Sequence, residues 1–156
     1  MAKYPLEPLA RLRQGKAEQA ARALAVSVRT REGATHGLRA AEVRRDAHGA
    51  AATAVHGGEL EALAKGELRA RDLARTDAWG VRVGAEKAAL VGVVERAQAT
   101  EAKAREDEKA AQRALTSRQA DAQVVDGHRR RWEGEVSRRL EAREEEASFE
   151  AWRPKR

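Results

Sequence analysis

The sequence predicts an all-α fold, a long antiparallel two-helix coiled coil with a short helical or irregular tip between the helices. Ala, Glu, Lys, Leu and Arg make up 97 of the 156 residues, a composition typical of long helices. The three prolines stand at positions 5, 8 and 154, so residues 9–153 contain no proline that would break a helix. Between residues 83 and 150, apolar side chains also recur at spacings of three and four.

The second helix is predicted over about residues 84–150. Its apolar stripe consists of Val83, Leu90, Val94, Ala97, Ala104, Ala111, Leu115, Ala122, Val125, Trp132 and Val136. The same register also contains charged residues, namely Lys87, Glu101, Glu108, Arg118 and Arg129. At 1.5 Å per residue this helix would be on the order of 100 Å long. Because a single helix cannot bury its own stripe, it needs a second helix as its partner.

The first helix is predicted over about residues 9–56, with Pro8 near its first turn. Its apolar positions are Leu9, Leu12, Ala17, Ala20, Leu24, Ala34, Leu38, Ala41, Ala52 and Val55. Alanine lets two helices approach closely but buries little area, so stability must accumulate over length. Three interior glycines weaken the helix by roughly 1 kcal/mol each relative to alanine.

The tip is predicted over about residues 57–83. Gly57 and Gly58 form the clearest break, and Gly57 suits the C′ position that ends a helix. A short helix over residues 59–76 and an irregular stretch up to Gly84 would then precede the second helix. The two helices and this tip are expected to form a single elongated unit over residues 1–156.

Composition excludes several kinds of site. The chain has no cysteine, and its four histidines are too scattered to form a metal set, so no metal or cofactor is expected. No phosphate-binding glycine loop and no catalytic constellation are present, so an enzyme is not expected. There is neither an apolar run of 18 residues nor a signal-peptide core, which predicts a soluble cytoplasmic protein.

The candidate packing and binding sites are the seam between the two helices and the aromatic residues. The seam is expected to contain Leu24, Leu38, Leu90, Val94, Leu115, Val125, Trp132 and Val136. Trp132 is assigned to this seam in preference to an external contact. For Trp79, packing of the tip and an exposed binding hot spot remain equally open. Phe149 and Trp152 either staple the two chain ends together or face a separate protein.

Two motifs stand out at the two ends of the chain. The first is the opening Lys3-Tyr4-Pro5-Leu6-Glu7-Pro8-Leu9, followed by Arg11-Leu12-Arg13. The second is His128-x-x-x-Trp132, followed by a charged helix that reaches Glu144-Glu145-Glu146. Together they resemble the YscO/FliJ family of type III secretion proteins, and the YscO branch most. The layout of two helices and a tip is similar as well, so the resemblance covers nearly the whole chain.

The resemblance implies a cytoplasmic stalk at the base of a membrane-embedded secretion apparatus. Such a stalk couples a hexameric export ATPase to the cytoplasmic domain of an export-gate membrane protein, and members of the family also bind secretion chaperones. The ATPase-binding end would then contain Tyr4, Leu6, Leu9, Arg11, Arg13, Phe149 and Trp152. The gate-facing tip would contain Leu68, Leu73 and Trp79.

The net charge of +6 leaves other functions to consider. A basic coiled coil that binds nucleic acid would lose affinity steeply with salt, but acidic residues intersperse both helices here. A membrane-surface helix needs a broad face of large apolar residues, which an alanine stripe does not offer. The sequence therefore predicts neither nucleic-acid binding nor membrane insertion. The alternative to the secretion stalk is a basic coiled coil that binds nucleic acid or serves as a generic adaptor.

Overall fold

The computed structural model describes residues 3–152, apart from the side chains of residues 70 and 151. It consists of two helices, α1 over Glu7–Ala64 and α2 over Ala70–Ala151, and no strand occurs in the described range. The predicted all-α fold, a coiled coil of two long helices, is confirmed.

Helix α1 begins in a proline-containing turn. Pro5 and Leu6 form the turn, and the backbone N–H of Glu7 donates to the Tyr4 carbonyl at 3.2 Å. Pro8 lies in the first helical turn, where a backbone N–H has no partner within the helix and its absence costs little. The carboxylate of Glu7 in the same turn stabilises the helix, because its negative charge lies near the positive end of the helix dipole.

The connection between the helices is five residues long and is defined by Gly66. Gly66 has a φ of +71°, and its N–H donates to the Leu63 carbonyl at 3.0 Å. The N–H of Glu67 donates to the Ala62 carbonyl, which completes a Schellman ending with glycine at C′. The Asp72 carboxylate then accepts the backbone N–H of Arg69 at 3.0 Å and caps the start of α2.

The predicted tip boundaries are therefore wrong. Helix α1 runs through Gly57 and Gly58, and the chain turns only at residues 65–69. The stretch from Thr76 to Gly84, expected to be irregular, lies inside α2. Two adjacent glycines weaken a helix without ending it when the turns on either side continue the helix-pair packing.

The chain divides into two compact units instead of the single unit expected. Unit 1 combines Met1–Val26 with Lys109–Arg156, and unit 2 comprises Ser27–Glu108. Each unit contains a segment of α1 and a segment of α2.

In unit 1 the two helices pack in opposite directions. Cross-helix contacts join Tyr4 to Trp132, then Glu7 to Arg129, then Arg13 to Asp121, so the partner number falls as the α1 number rises. Of the predicted seam residues in this unit, Val125 is buried and the other four are half-buried, namely Leu24, Leu115, Trp132 and Val136. Leu9 and Leu12, predicted to belong to the α1 stripe, are exposed.

Unit 2 has the same antiparallel pairing of the helices, but different side chains are buried between them. Contacts join Arg31 to Glu108, His48 to Glu86 and Glu59 to Thr76. Its buried apolar side chains are Ala41, Val94 and Ala104, while the predicted seam residues Leu38 and Leu90 are half-buried. Val55, predicted to belong to the α1 stripe, is exposed.

Candidate functional site

Tyr4 anchors the first residues of the chain onto α2 in unit 1. Its side chain is 7% exposed, and its hydroxyl lies 2.8 Å from Nδ1 of His128. The ring centroid lies 5.4 Å from that of Trp132, in a tilted arrangement that aromatic pairs favour. His128 and Trp132 are four residues apart on one face of α2, so together they hold the tyrosine ring.

A groove opens beside this anchor, and we call it the terminal groove. Its volume is about 1070 Å³, and its lining residues come from both helices of unit 1. They are Lys3, Tyr4, Glu7, Pro8, Arg11, Arg129, Trp132, Glu133, Val136, Ser137 and Leu140. The floor is largely apolar and the rim carries both signs of charge, which suits a protein partner better than a small polar ligand.

Arg129 is the centre of the charged rim. Its guanidinium contacts Glu133 at 3.0 Å and Glu7 at 3.3 Å, and its central carbon lies 6.0 Å from the centroid of the Tyr4 ring. The hydrogen bond to Glu133, followed by the charge of Glu7, raises the pKa of Arg129 above its ordinary value. The guanidinium is thus a permanent cation that links the start of α1 to α2.

Beyond the groove, α2 continues alone as what we call the overhang, residues 141–152. Every side chain described in this stretch is exposed, and its hydrogen bonds join residues within α2. Phe149 is 77% exposed and Trp152 is 88% exposed. Large aromatic side chains left in solvent on a helix without a packing partner are typical of a contact surface.

The residues predicted for the ATPase-binding end all lie in unit 1, but in different environments. Tyr4 is buried, whereas Leu6 and Leu9 are partly exposed near it. Arg11 is exposed and contacts Glu7 within its own helix, and Arg13 pairs across the helices with Asp121 at 2.5 Å. The side chains of Tyr4 and Arg13 are therefore occupied by contacts within the chain. Phe149 and Trp152 are mostly in solvent, so neither side chain is buried against the described first residues of the chain as a staple would require.

The residues predicted for the gate-facing tip lie in unit 2 around the turn. Leu68 is half-buried in the connection, and Leu73 is exposed in the first turn of α2. Trp79 is half-buried and lines a groove of about 470 Å³ with Val55 and Glu59. Its packing against α1 accounts for part of its surface and leaves the remainder accessible.

The charge is distributed unequally between the units. The sequence of unit 1 contains 17 Lys and Arg against 11 Asp and Glu, a difference of +6. Unit 2 contains 14 of each and is neutral. The whole net charge of the chain therefore belongs to the unit that carries the terminal groove and the overhang.

Two other kinds of site find no candidate in the described part of the chain. Between residues 3 and 152, no three His, Asp or Glu side chains converge in a way that could hold a metal ion. In the same range, neither helix contains a segment long and apolar enough to cross a membrane.

Sequence reasoning missed how Tyr4 is held. It gives His128 no partner, and it does not pair Glu7 with Arg129 across the helices. The available signal was the spacing of four between His128 and Trp132, which places an imidazole and an indole on one helix face. Nothing local in the sequence indicates that their partner lies more than 120 residues away.

Comparison with known proteins gives a likeness of fold. A solved structure from Chlamydia trachomatis, described as that of a YscO homolog, superposes with a TM-score of 0.82 over 97% of this chain and 93% of that one, at 20% sequence identity. No family model matches the chain, and no curated protein matches it in sequence.

Proposed function

We propose that this chain is a cytoplasmic central-stalk component of a type III secretion export apparatus, which couples the hexameric export ATPase to the export gate. In this proposal the chain catalyses no reaction and acts by contact alone. The observation that carries it is the overhang, a helical end with two exposed aromatics and no packing partner within the described chain. The fold shared with a YscO homolog supports the same role.

The overhang and the terminal groove are proposed as the ATPase contact. Phe149 and Trp152 offer large apolar area at a low cost in side-chain entropy, as hot-spot residues do. The groove adds a half-buried apolar floor, Trp132 and Val136, next to the overhang. The net charge of +6 in unit 1 favours an acidic surface on the ATPase and a rapid, salt-sensitive encounter.

The gate contact is proposed for unit 2, around the turn at residues 65–69. The exposed Leu73 and the accessible part of Trp79 are the candidate contact residues there. Secretion chaperones are proposed as further partners. Because unit 2 carries no net charge, we expect these contacts to depend less on salt than the ATPase contact.

The test is binding of the purified chain to the hexameric export ATPase of the same organism. The variant Phe149→Ala with Trp152→Ala is expected to weaken binding at least about tenfold, since two exposed aromatic anchors are lost. Helicity should not change, because neither side chain packs against α1. Arg13 is a poor probe here, since its substitution also removes the cross-helix pair with Asp121.

The matched control is Leu60→Ala with Val81→Ala, which removes two exposed apolar side chains from unit 2. This control should bind the ATPase as the unaltered chain does. Equal affinity of the overhang variant and the control would refute the assignment of the overhang to the ATPase. Failure of the unaltered chain to bind the ATPase would refute the proposed function itself.

A further inference from the structure

The apolar seam of unit 2 does not by itself define how the helices align along their length. Ala34 and Ala41 are seven residues apart on α1, and Ala97 and Ala104 are seven apart on α2. All four are buried or half-buried. If α2 slides by one heptad, Ala97 takes the place of Ala104 or Ala104 that of Ala97, so this part of the apolar seam accepts the slipped alignment.

Two carboxylates interrupt this seam. Glu101 is 6% exposed, and Arg105, one turn further along α2, donates to its carboxylate. The Thr35 hydroxyl on α1 lies 3.3 Å from the same carboxylate and 3.0 Å from the Arg31 carbonyl, and it shares its one proton between them. Glu108, one heptad after Glu101, is half-buried and pairs with Arg31 of α1 at 2.6 Å. Each carboxylate therefore has a contact on α1 in the observed alignment, and Glu101 also has Arg105 on its own helix.

A slip by one heptad in either direction removes the partners on α1, Thr35 and Arg31, and leaves Glu101 with Arg105 of its own helix. The position that faces Glu101 would be Glu42 or Val28 in place of Thr35. The position that faces Glu108 would be Leu38 or Leu24 in place of Arg31. A seam carboxylate would then face either another carboxylate or an apolar side chain, and both arrangements are strongly unfavourable.

We propose that Glu101 and Glu108 set the register in which α1 and α2 pair within unit 2. The apolar seam supplies the attraction, and the two carboxylates reject the alignments that the seam would tolerate. This is the use of a buried polar residue to define the register of a coiled coil. The device occupies residues 31–108, apart from the terminal groove, and does not depend on the proposed function.

The experiment measures register in the full chain by pulsed electron paramagnetic resonance. The sequence has no cysteine, so nitroxide labels at Ala40→Cys and Ala78→Cys, both exposed positions, report one distance between α1 and α2. A slip of seven residues changes this distance by up to about 10 Å. Circular dichroism on the same samples verifies that each variant is helical.

The first variant replaces the four residues of the two cross-helix contacts by apolar ones, Arg31→Leu, Thr35→Val, Glu101→Leu and Glu108→Leu. It leaves the turn at Gly66 intact. We expect a second distance population besides the native one. A single native distance in a helical sample would overturn the proposal, because the turn, the apolar packing and the contacts of unit 1 would then suffice to set the register.

The second variant moves the carboxylates by one heptad, Val94→Glu with Glu108→Leu. In the slipped alignment the carboxylate introduced at position 94 would face Thr35 and Glu101 would face Arg31, so a fully paired seam is available to a chain of almost unchanged composition. We expect the labels to move closer by up to about 10 Å in at least half of the molecules. Retention of the native distance alone would overturn the proposal independently of the first variant.

The matched control removes a glutamate and an arginine that pair within one helix on the surface, Glu135→Leu with Arg139→Leu. It changes the same residue types as the Arg31–Glu108 substitution without touching a contact between the helices. A single native distance is expected for it. A second distance in this control would overturn the proposal, since loss of any ion pair would then loosen the register.

Discussion

Units 1 and 2 are built from the same two helices, yet they hold these helices together differently. In unit 1 the contact is dominated by aromatic packing, with Tyr4 held between His128 and Trp132. In unit 2 the buried apolar side chains are alanine and valine, and polar contacts such as Thr35–Glu101 lie among them. In unit 2 the small side chains let the helices approach closely and the polar contacts among them set the register, whereas in unit 1 the aromatic contacts fix the first residues of the chain to α2.

The second difference is electrostatic. Unit 1 carries the entire net charge of +6 and leaves a helical end in solvent, whereas unit 2 is neutral. Charge that no partner within the chain balances favours encounter with a partner of opposite sign. We therefore expect the proposed ATPase contact in unit 1 and the setting of the helix register in unit 2, and the following substitutions test that division.

The largest effect is expected from Tyr4→Ala. Removal of a buried aromatic typically costs about 3 kcal/mol, and here it also leaves Nδ1 of His128 without the hydroxyl 2.8 Å away. Because Tyr4 precedes α1, the loss should concentrate in unit 1. Hydrogen–deuterium exchange should show faster exchange over residues 7–20 and little change in unit 2.

The control for this substitution is Tyr4→Phe, which keeps the ring and removes the hydroxyl. It should cost about 1 kcal/mol, the usual net contribution of one hydrogen bond. Equal protection of residues 7–20 in the alanine variant and the unaltered chain would show that Tyr4 does not anchor this end of α1.

A smaller pair of effects, opposite in sign, is expected at two glycines of unit 2. Gly66 has a φ of +71°, so Gly66→Ala should lower the free energy of unfolding by about 1 kcal/mol. Gly57 lies inside α1 with open space around it, so Gly57→Ala should raise the free energy of unfolding by a similar amount. Denaturant unfolding of the two variants side by side measures both.

Each variant of this glycine pair serves as the control for the other, because both add the same methyl group. Stabilisation by both substitutions would mean that the chain does not turn at Gly66. Destabilisation by Gly57→Ala would indicate that α1 ends at Gly57, as the sequence predicted.

These glycines also show how far the sequence could predict the fold. The rule that a helix ends at a glycine in C′ was correct, but it was applied at Gly57 when the structure uses Gly66. The rule is local, and every glycine followed by a polar stretch satisfies it. Which glycine ends the helix depends on where the two helices stay in contact, and that information is spread over both of them.

The apolar stripe on α2 was predictable because its spacings of three and four residues repeat within one contiguous segment of the sequence. The sequence assigns Glu101 and Glu108 to the same register as Val94 and Val125, and the structure places both glutamates in the seam. Their partners Thr35 and Arg31 could not be found, because pairing across two helices depends on an alignment that the alanine repeat leaves open. The contact of Tyr4 with His128 and Trp132 could not be predicted for the same reason.

The smallest effects are expected from the cross-helix ion pairs, and they compare the units directly. Arg13 and Asp121 in unit 1 lie 2.5 Å apart with side chains 34% and 37% exposed, whereas Arg31 and Glu108 in unit 2 lie 2.6 Å apart with 33% and 23% exposed. Solvent screens both pairs, so double-mutant cycles with alanine should give coupling energies below about 1 kcal/mol.

The pair in unit 2 should show the larger coupling energy of the two. Glu108 is the less exposed carboxylate, and Asp121 also contacts Arg118 at 3.6 Å, which partly replaces Arg13 when that side chain is removed. At 1 M salt the Debye length is about 3 Å. The coupling energy of Arg13–Asp121 should then decrease by more than that of Arg31–Glu108. A larger or more salt-resistant coupling for Arg13–Asp121 would contradict the assignment of alignment to unit 2, because the stronger polar constraint between the helices would then lie in the unit with the overhang.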